Sequence, residues 1–143
     1  MLSQKAMTNV HVERFVKGTL GCECPDEVFE DTEVLGRIVL GGGLTIDAVI
    51  TVGDRLLIYI LKARPSPTLT KDTLRLLKTG RIERDIRNLN RFRLVLYTSD
   101  PDTVRLEAEK AYGACPEADD KMHVHVIDES AASEFLGTIR TAP

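Results

Sequence analysis

The sequence contains no tryptophan, and aromatic residues make up only 5% of its 143 positions. Sequence-specific readers of single-stranded RNA stack bases on exposed aromatic rings, so this composition argues against them and leaves phosphate contacts as the route to any nucleic acid. Cysteine is scarce as well. Three residues, an odd count, do not make a disulfide framework. No second short-spaced cysteine pair completes a zinc ribbon or finger. Long apolar runs are missing: the longest, residues 56–61, falls far short of the roughly 20 residues that span a bilayer. The opening Met-Leu-Ser-Gln-Lys-Ala-Met-Thr has neither the apolar core nor the cleavage pattern of a signal peptide. These absences predict a protein that is neither secreted nor membrane-inserted, with the cytoplasm as its expected compartment.

Catalytic signatures are also lacking. Gly41-Gly42-Gly43 precedes a strand-like segment and has no Gly-Lys-Ser/Thr ending, so it is not a phosphate loop. There is no G-x-S-x-G elbow and no HExxH. Repeats, low-complexity stretches and linkers are absent too, and the composition is that of an ordinary globular chain, which predicts one domain over residues 1–143.

What is present is a legible order of elements. Val10, Val12, Phe15, Val16 and Leu20 recur at helical spacing, predicting a helix over 9–19 with those residues inward. Pro25, Asp26 and Glu27 suit a first helical turn, predicting a short helix over 25–31 with Cys24 at or beside its N-cap. Three strands are expected next, over 34–40, 44–52 and 55–63. The second reads as half-buried, and Gly53-Asp54 as a two-residue hairpin turn joining it to the third. A helix follows over 69–87, capped by Thr68 or Thr70 and interrupted near Gly80. A buried strand over 92–98, a helix over 101–113, a strand over 122–128 and a helix over 130–139 complete the chain. The predicted fold class is α/β: a mixed sheet in which an N-terminal helix and three-strand meander are followed by a parallel βαβ-type unit, with helices on the faces.

The charge is asymmetric. Ten basic residues against three acidic ones lie between Lys62 and Arg93, a net of +7. The whole chain carries −3, so the remainder carries −10. On a helix, Lys71, Arg75 and Lys78 share one face with Arg81 a turn later, a stripe suited to phosphates or to an acidic protein. A solvated helix face is the plainer use of the same residues.

Cys22 and Cys24 stand ahead of the predicted helix start, where exposed N–H groups favour a thiolate. As a redox pair they would close a small, reducible disulfide. As half of a zinc site they would need two further ligands from Cys115, His123, His125 or His11. As neither, they are small buried residues, and the cofactor is then none. His123 and His125 fall on one face of a strand.

Two resemblances reach particular residues. Thr45-Ile46-Asp47-Ala48-Val49-Ile50, and Gly53 through Arg64 with Lys62 near the end, resemble the second and third strands of the restriction-endonuclease-like PD-(D/E)xK nucleases. The helix–strand–strand–strand–helix–strand order over residues 13–98 resembles their core. The resemblance implies Asp47 as a metal-holding acid and Lys62 as the motif lysine. Its second acid would stand at position 60, which is Ile60. Without that carboxylate Mg²⁺ should bind poorly, so the resemblance implies a degenerate site and at most residual nuclease activity. The motif T-L-G-C-x-C-P-x-E-V-F over residues 19–29, with Arg91-Phe92-Arg93-Leu94-Val95-Leu96, also resembles a group of small prokaryotic proteins that carries no established activity. Three uses therefore stay open: a binding or regulatory domain for nucleic acid or another anionic partner, a thiol redox or metal protein, and a residual nuclease. Oligomeric state is not legible.

Overall fold

The computed structural model of the chain describes residues 4–42 and 44–140. Helix α1 (Gln4–Arg14) continues into a π turn (Phe15–Thr19), which Leu20 closes by donating its N–H to the Phe15 carbonyl at 3.1 Å. Val12, Phe15, Val16 and Leu20 point inward as their spacing predicts, whereas Val10 is 42% exposed. The segment after Pro25 is a 3₁₀ turn (Asp26–Glu30) with Pro25 itself at the N-cap, so Cys24 lies just outside it.

Among the described residues seven strands follow the expected order, with two divisions. The strand expected over 34–40 breaks at Gly36 and Arg37 into β1 (Thr32–Leu35) and β2 (Ile38–Gly41). The strand expected over 44–52 breaks at Asp47 into β3 (Leu44–Ile46) and β4 (Ala48–Val52). β2 and β3 pair only with each other, as an antiparallel hairpin. β1 and β4 enter the main sheet, whose order is β1-β4-β5-β6-β7 with β5 (Leu56–Lys62), β6 (Arg91–Thr98) and β7 (Met122–Asp128). β4 is antiparallel to both its neighbours; β5, β6 and β7 are mutually parallel. The turn between β4 and β5 spans three residues rather than two, since Val52 pairs with Leu56. Its first residue, Gly53, has φ +57° and donates to the Asp31 carbonyl at 2.6 Å. This is the mixed α/β sheet that the order of elements predicts.

The sheet has a helix layer on each face. On one side, α1 and α4 (Glu129–Arg140) pack over Ile50, Ile58, Ile60 and Val95, with the Phe15 and Phe135 rings stacked at 4.3 Å. On the other, α2 (Leu69–Ile86) and α3 (Pro101–Gly113) pack over Val49, Leu57, Tyr59 and Leu94. All five residues of β4 are therefore buried, and the half-buried strand expected from its alternation is not found. A strand covered on both faces loses the polar–apolar contrast. Thr51, the polar member, is satisfied there by a 2.9 Å bond from Arg87.

Nor is α2 interrupted at Gly80. It runs unbroken, with Phe92 packed so close that a Cβ on residue 80 would lie 2.2 Å from the ring. The glycine serves helix–sheet contact rather than helix termination. Thr68 occupies the N-cap position of α2 without capping it by its side chain, and the Thr70 hydroxyl bonds to Glu107 of α3 instead.

Candidate functional site

Parallel strands in an open α/β sheet align their carboxyl ends, and the loops there form the usual ligand crevice. Because β4 runs opposite to β5, its first residue reaches the same rim. Asp47 and Lys62 therefore come together from positions fifteen residues apart, lining a cleft of about 510 Å³ with Arg37, Arg64, Asp72 and Tyr97. The Asp47 N–H donates to the Ile60 carbonyl at 2.9 Å, which fixes its backbone at the corner between β3 and β4.

Both side chains are engaged. The Tyr97 hydroxyl, from the end of β6, donates to the Asp47 carboxylate. The Lys62 ammonium pairs at 2.8 Å with Glu129, the first residue of α4. Tyr97 and Glu129 are absent from the sequence reading; neither has a local signal, since each belongs to this rim only through sheet order. Ile60 is wholly buried among Ala48, Ile58, Val95 and the α1–α4 side of the core.

The residues at the rim do not fit the Mg²⁺ of the nucleases they resemble. Mg²⁺ requires oxygen ligands in near-octahedral array. Here the second acid is an aliphatic side chain, Asp47 accepts from a tyrosine, and Glu129 neutralises the lysine. Among the described residues no group of three or more His, Cys, Asp or Glu side chains is placed to hold a metal ion.

The basic segment divides into structural and exposed parts. Arg84 is almost fully buried and grips Asp119 through its two terminal guanidinium nitrogens at 3.0 and 2.7 Å. The pairing holds the Asp119 carboxyl below its usual range, against a smaller opposing effect of burial. Arg87 pairs with Glu83, and Arg81 donates to the Glu117 carbonyl at 2.5 Å. Arg75 reaches the Leu40 and Gly41 carbonyls at 2.5 and 3.0 Å and so ties the β2–β3 hairpin to α2. Several charges in the net of +7 thus have partners, and Asp119 and Glu129 lie outside the segment. Lys71 and Lys78 stay exposed, flanking Arg75 in a groove of about 690 Å³ closed on its far side by Pro116 and Glu117. Asp72 lines both this groove and the cleft, so the two lie side by side at the first turn of α2.

The thiols and imidazoles do not form one site. Cys22 and Cys24 meet, with their sulfurs 2.7 Å apart on the α1–α4 side of the sheet. Burial, then the hydrogen bond to Cys22, pushes the Cys24 thiol up to about 11, opposed by the Arg93 and Arg55 charges. Cys115 is buried in the core on the opposite face, beside Glu117. His125 lies 2.7 Å from an Arg93 nitrogen. A guanidinium only donates, so the imidazole accepts and is neutral. Burial and then the Arg93 charge depress His125 to about 4. His123 is lowered by the same two causes in the same order. Cys115 is separated from the rest by the sheet. His123 and His125 pair with Arg93 and Val95 and so share the face of Cys22 and Cys24, yet the described residues hold no group of three or more such side chains placed for a metal ion. His11 lies on α1, lining a different pocket with Phe135.

No helix among the described residues is long and apolar enough to cross a membrane. Compared with protein-family models, with curated proteins and with solved structures, the chain matches none.

Proposed function

We propose that this chain is a non-enzymatic binding domain for a phosphate-bearing polymer, a nucleic acid, on a degenerate restriction-endonuclease-like core. The observation that carries the reading is that the cleft and the groove adjoin at Asp72 and are both lined by basic side chains. Arg37 and Arg64 on one side of Asp72 are followed by Lys71, Arg75 and Lys78 on the other, while Lys62 between them is paired with Glu129. That makes a basic track that starts at the carboxyl rim of the sheet and runs down α2. The strand order β1-β4-β5-β6, with Asp47 and Lys62 on one rim, supports kinship with the nuclease core. The buried Ile60 and the engaged Asp47 and Lys62 argue against retained cleavage. The shortage of aromatic side chains favours backbone contacts with little sequence preference. An odd count of three cysteines, too few for a disulfide framework, supports the cytoplasm as its compartment.

The test is fluorescence anisotropy of a labelled random duplex against salt concentration. Binding should be measurable at low salt and weaken linearly on a log–log plot. Lys71→Ala/Lys78→Ala should flatten the slope by about 1.8, the counterions released by two phosphate contacts. Absent or salt-independent binding would overturn the proposal, and an acidic protein would then be the next partner to try. Strand cleavage in Mg²⁺ that Asp47→Ala abolishes would replace it with the nuclease reading.

A further inference from the structure

The basic track leaves unused the most chemically pointed contact in the molecule, the one between Cys22 and Cys24. Their sulfurs lie 2.7 Å apart, and a disulfide needs about 2.05 Å, so closure asks for a shift of well under an ångström. The approach is built by the chain. Cys22 is anchored by its N–H to the Val16 carbonyl at 3.0 Å, at the end of the π turn. Gly21 before it adopts φ +68°, and Pro25 after it holds φ −59°, so both ends of the short Cys-Glu-Cys segment are conformationally set. Cys22 is buried and Cys24 half-exposed, which orders the two sulfurs with respect to solvent. Cys115 is on the other face of the sheet and is no competitor.

We infer that Cys22 and Cys24 are a reversible dithiol–disulfide couple, a site of thiol–disulfide exchange for small-molecule disulfides. Cys24, the accessible thiol, attacks as its thiolate one sulfur of an external disulfide RSSR. The S–S bond breaks, Cys24 forms a mixed disulfide, and RS⁻ leaves with the proton that Cys24 gave up. Cys22 then attacks the Cys24 sulfur and expels the second RS⁻, which takes the Cys22 proton. Two protein thiols are oxidised to one disulfide, and one external disulfide is reduced to two thiols. Burial and the Cys22 hydrogen bond disfavour the Cys24 thiolate, and the Arg93 and Arg55 charges oppose them only in part, so the exchange should quicken as pH rises. The Arg93 Nε is buried without a hydrogen-bond partner among the described residues.

The probe is oxidised glutathione, applied to the reduced full-length chain, followed by acid quench, alkylation and peptide mass spectrometry. The expected product is a chain lighter by two hydrogen atoms, with Cys22 and Cys24 joined within one peptide and Cys115 alkylated only after unfolding. Dithiothreitol should restore both thiols. Cys22→Ser should stop at a glutathione adduct on Cys24. A wild-type chain that keeps that adduct without closing, or whose Cys22 and Cys24 stay reduced, would overturn the inference. The wild-type peptide map decides the matter even where the serine variant does not fold. Nucleic-acid binding does not enter this readout, so either proposal can fail alone.

Discussion

Replacing Gly80 with alanine tests how α2 is seated, and with it the track that Lys71, Arg75 and Lys78 lie on. On an exposed helix the change would stabilise, since alanine is favoured over glycine by about 1 kcal/mol in a helix interior. Here the new methyl would lie 2.2 to 2.4 Å from three atoms of the Phe92 ring, well inside van der Waals contact. Phe92 is wholly buried and packs edge-on against Tyr59 at 4.9 Å between centroids, so its ring has little room to withdraw. Overpacking of this kind costs about 1–3 kcal/mol. An overlap this deep belongs at the upper end, which leaves a net loss of about 2 kcal/mol after the helix gain. For a domain of this size each kcal/mol moves Tm by about 3 °C, so the midpoint should fall by about 6 °C. Thermal unfolding followed by circular dichroism measures it. Gly80→Ala/Phe92→Leu should recover part of the loss relative to the sum of the single variants. A Tm that rises in the single variant would refute the reasoning, because it would mean residue 80 faces space rather than a ring.

Three further predictions concern charge and titration. Arg84→Ala leaves Asp119 without its two-pronged partner and should cost about 2–3 kcal/mol in urea unfolding, less than for a fully buried pair because Asp119 is partly exposed; a loss under about 0.5 kcal/mol, the range of ordinary surface substitutions, would contradict that role. Asp119 is depressed in the folded chain, so its contribution is present above the unfolded carboxylate value and is lost as pH falls through the folded one. Wild type should therefore lose stability on acidification more steeply than Asp119→Asn, and parallel curves would remove the linkage. The Cys24 thiol, raised to about 11, should alkylate with a rate that climbs about tenfold per pH unit from neutrality to near that value. A plateau below pH 9 would show a thiolate that the pocket does not disfavour.

The helices and the strands after residue 55 were legible because their signals are local. The run over residues 56–61 reads as a buried strand wherever it is placed, and Asp100-Pro101 announces α3, where the Asp100 carboxylate accepts from Thr103 as an N-cap should. The parallel unit followed from the alternation of strand and helix, because parallel strands need a crossover. Misreadings arose where a residue's role is set by something distant. Gly80 looks like a helix breaker until Phe92 is beside it. The residues of β4 look half-buried until helices cover both faces. Residues 34–40 look like one strand, yet β1 finds its partner in β4 and β2 in β3.

The candidate sites divide in the same way. Charge asymmetry, the Cys-x-Cys spacing, and an Asp and a Lys with an isoleucine where an acid would stand were all fixed by residue identity. Only the fold decided which charges are neutralised, because Asp119 and Glu129 reach Arg84 and Lys62 across the sheet order. Only the fold separated Cys115 from Cys22 and Cys24, by setting them on opposite faces. Only the fold set Tyr97 on Asp47, fifty positions away in the chain. Local patterns follow from backbone geometry over a few residues. Partners across a sheet follow from register and layer order, which no single stretch of sequence contains.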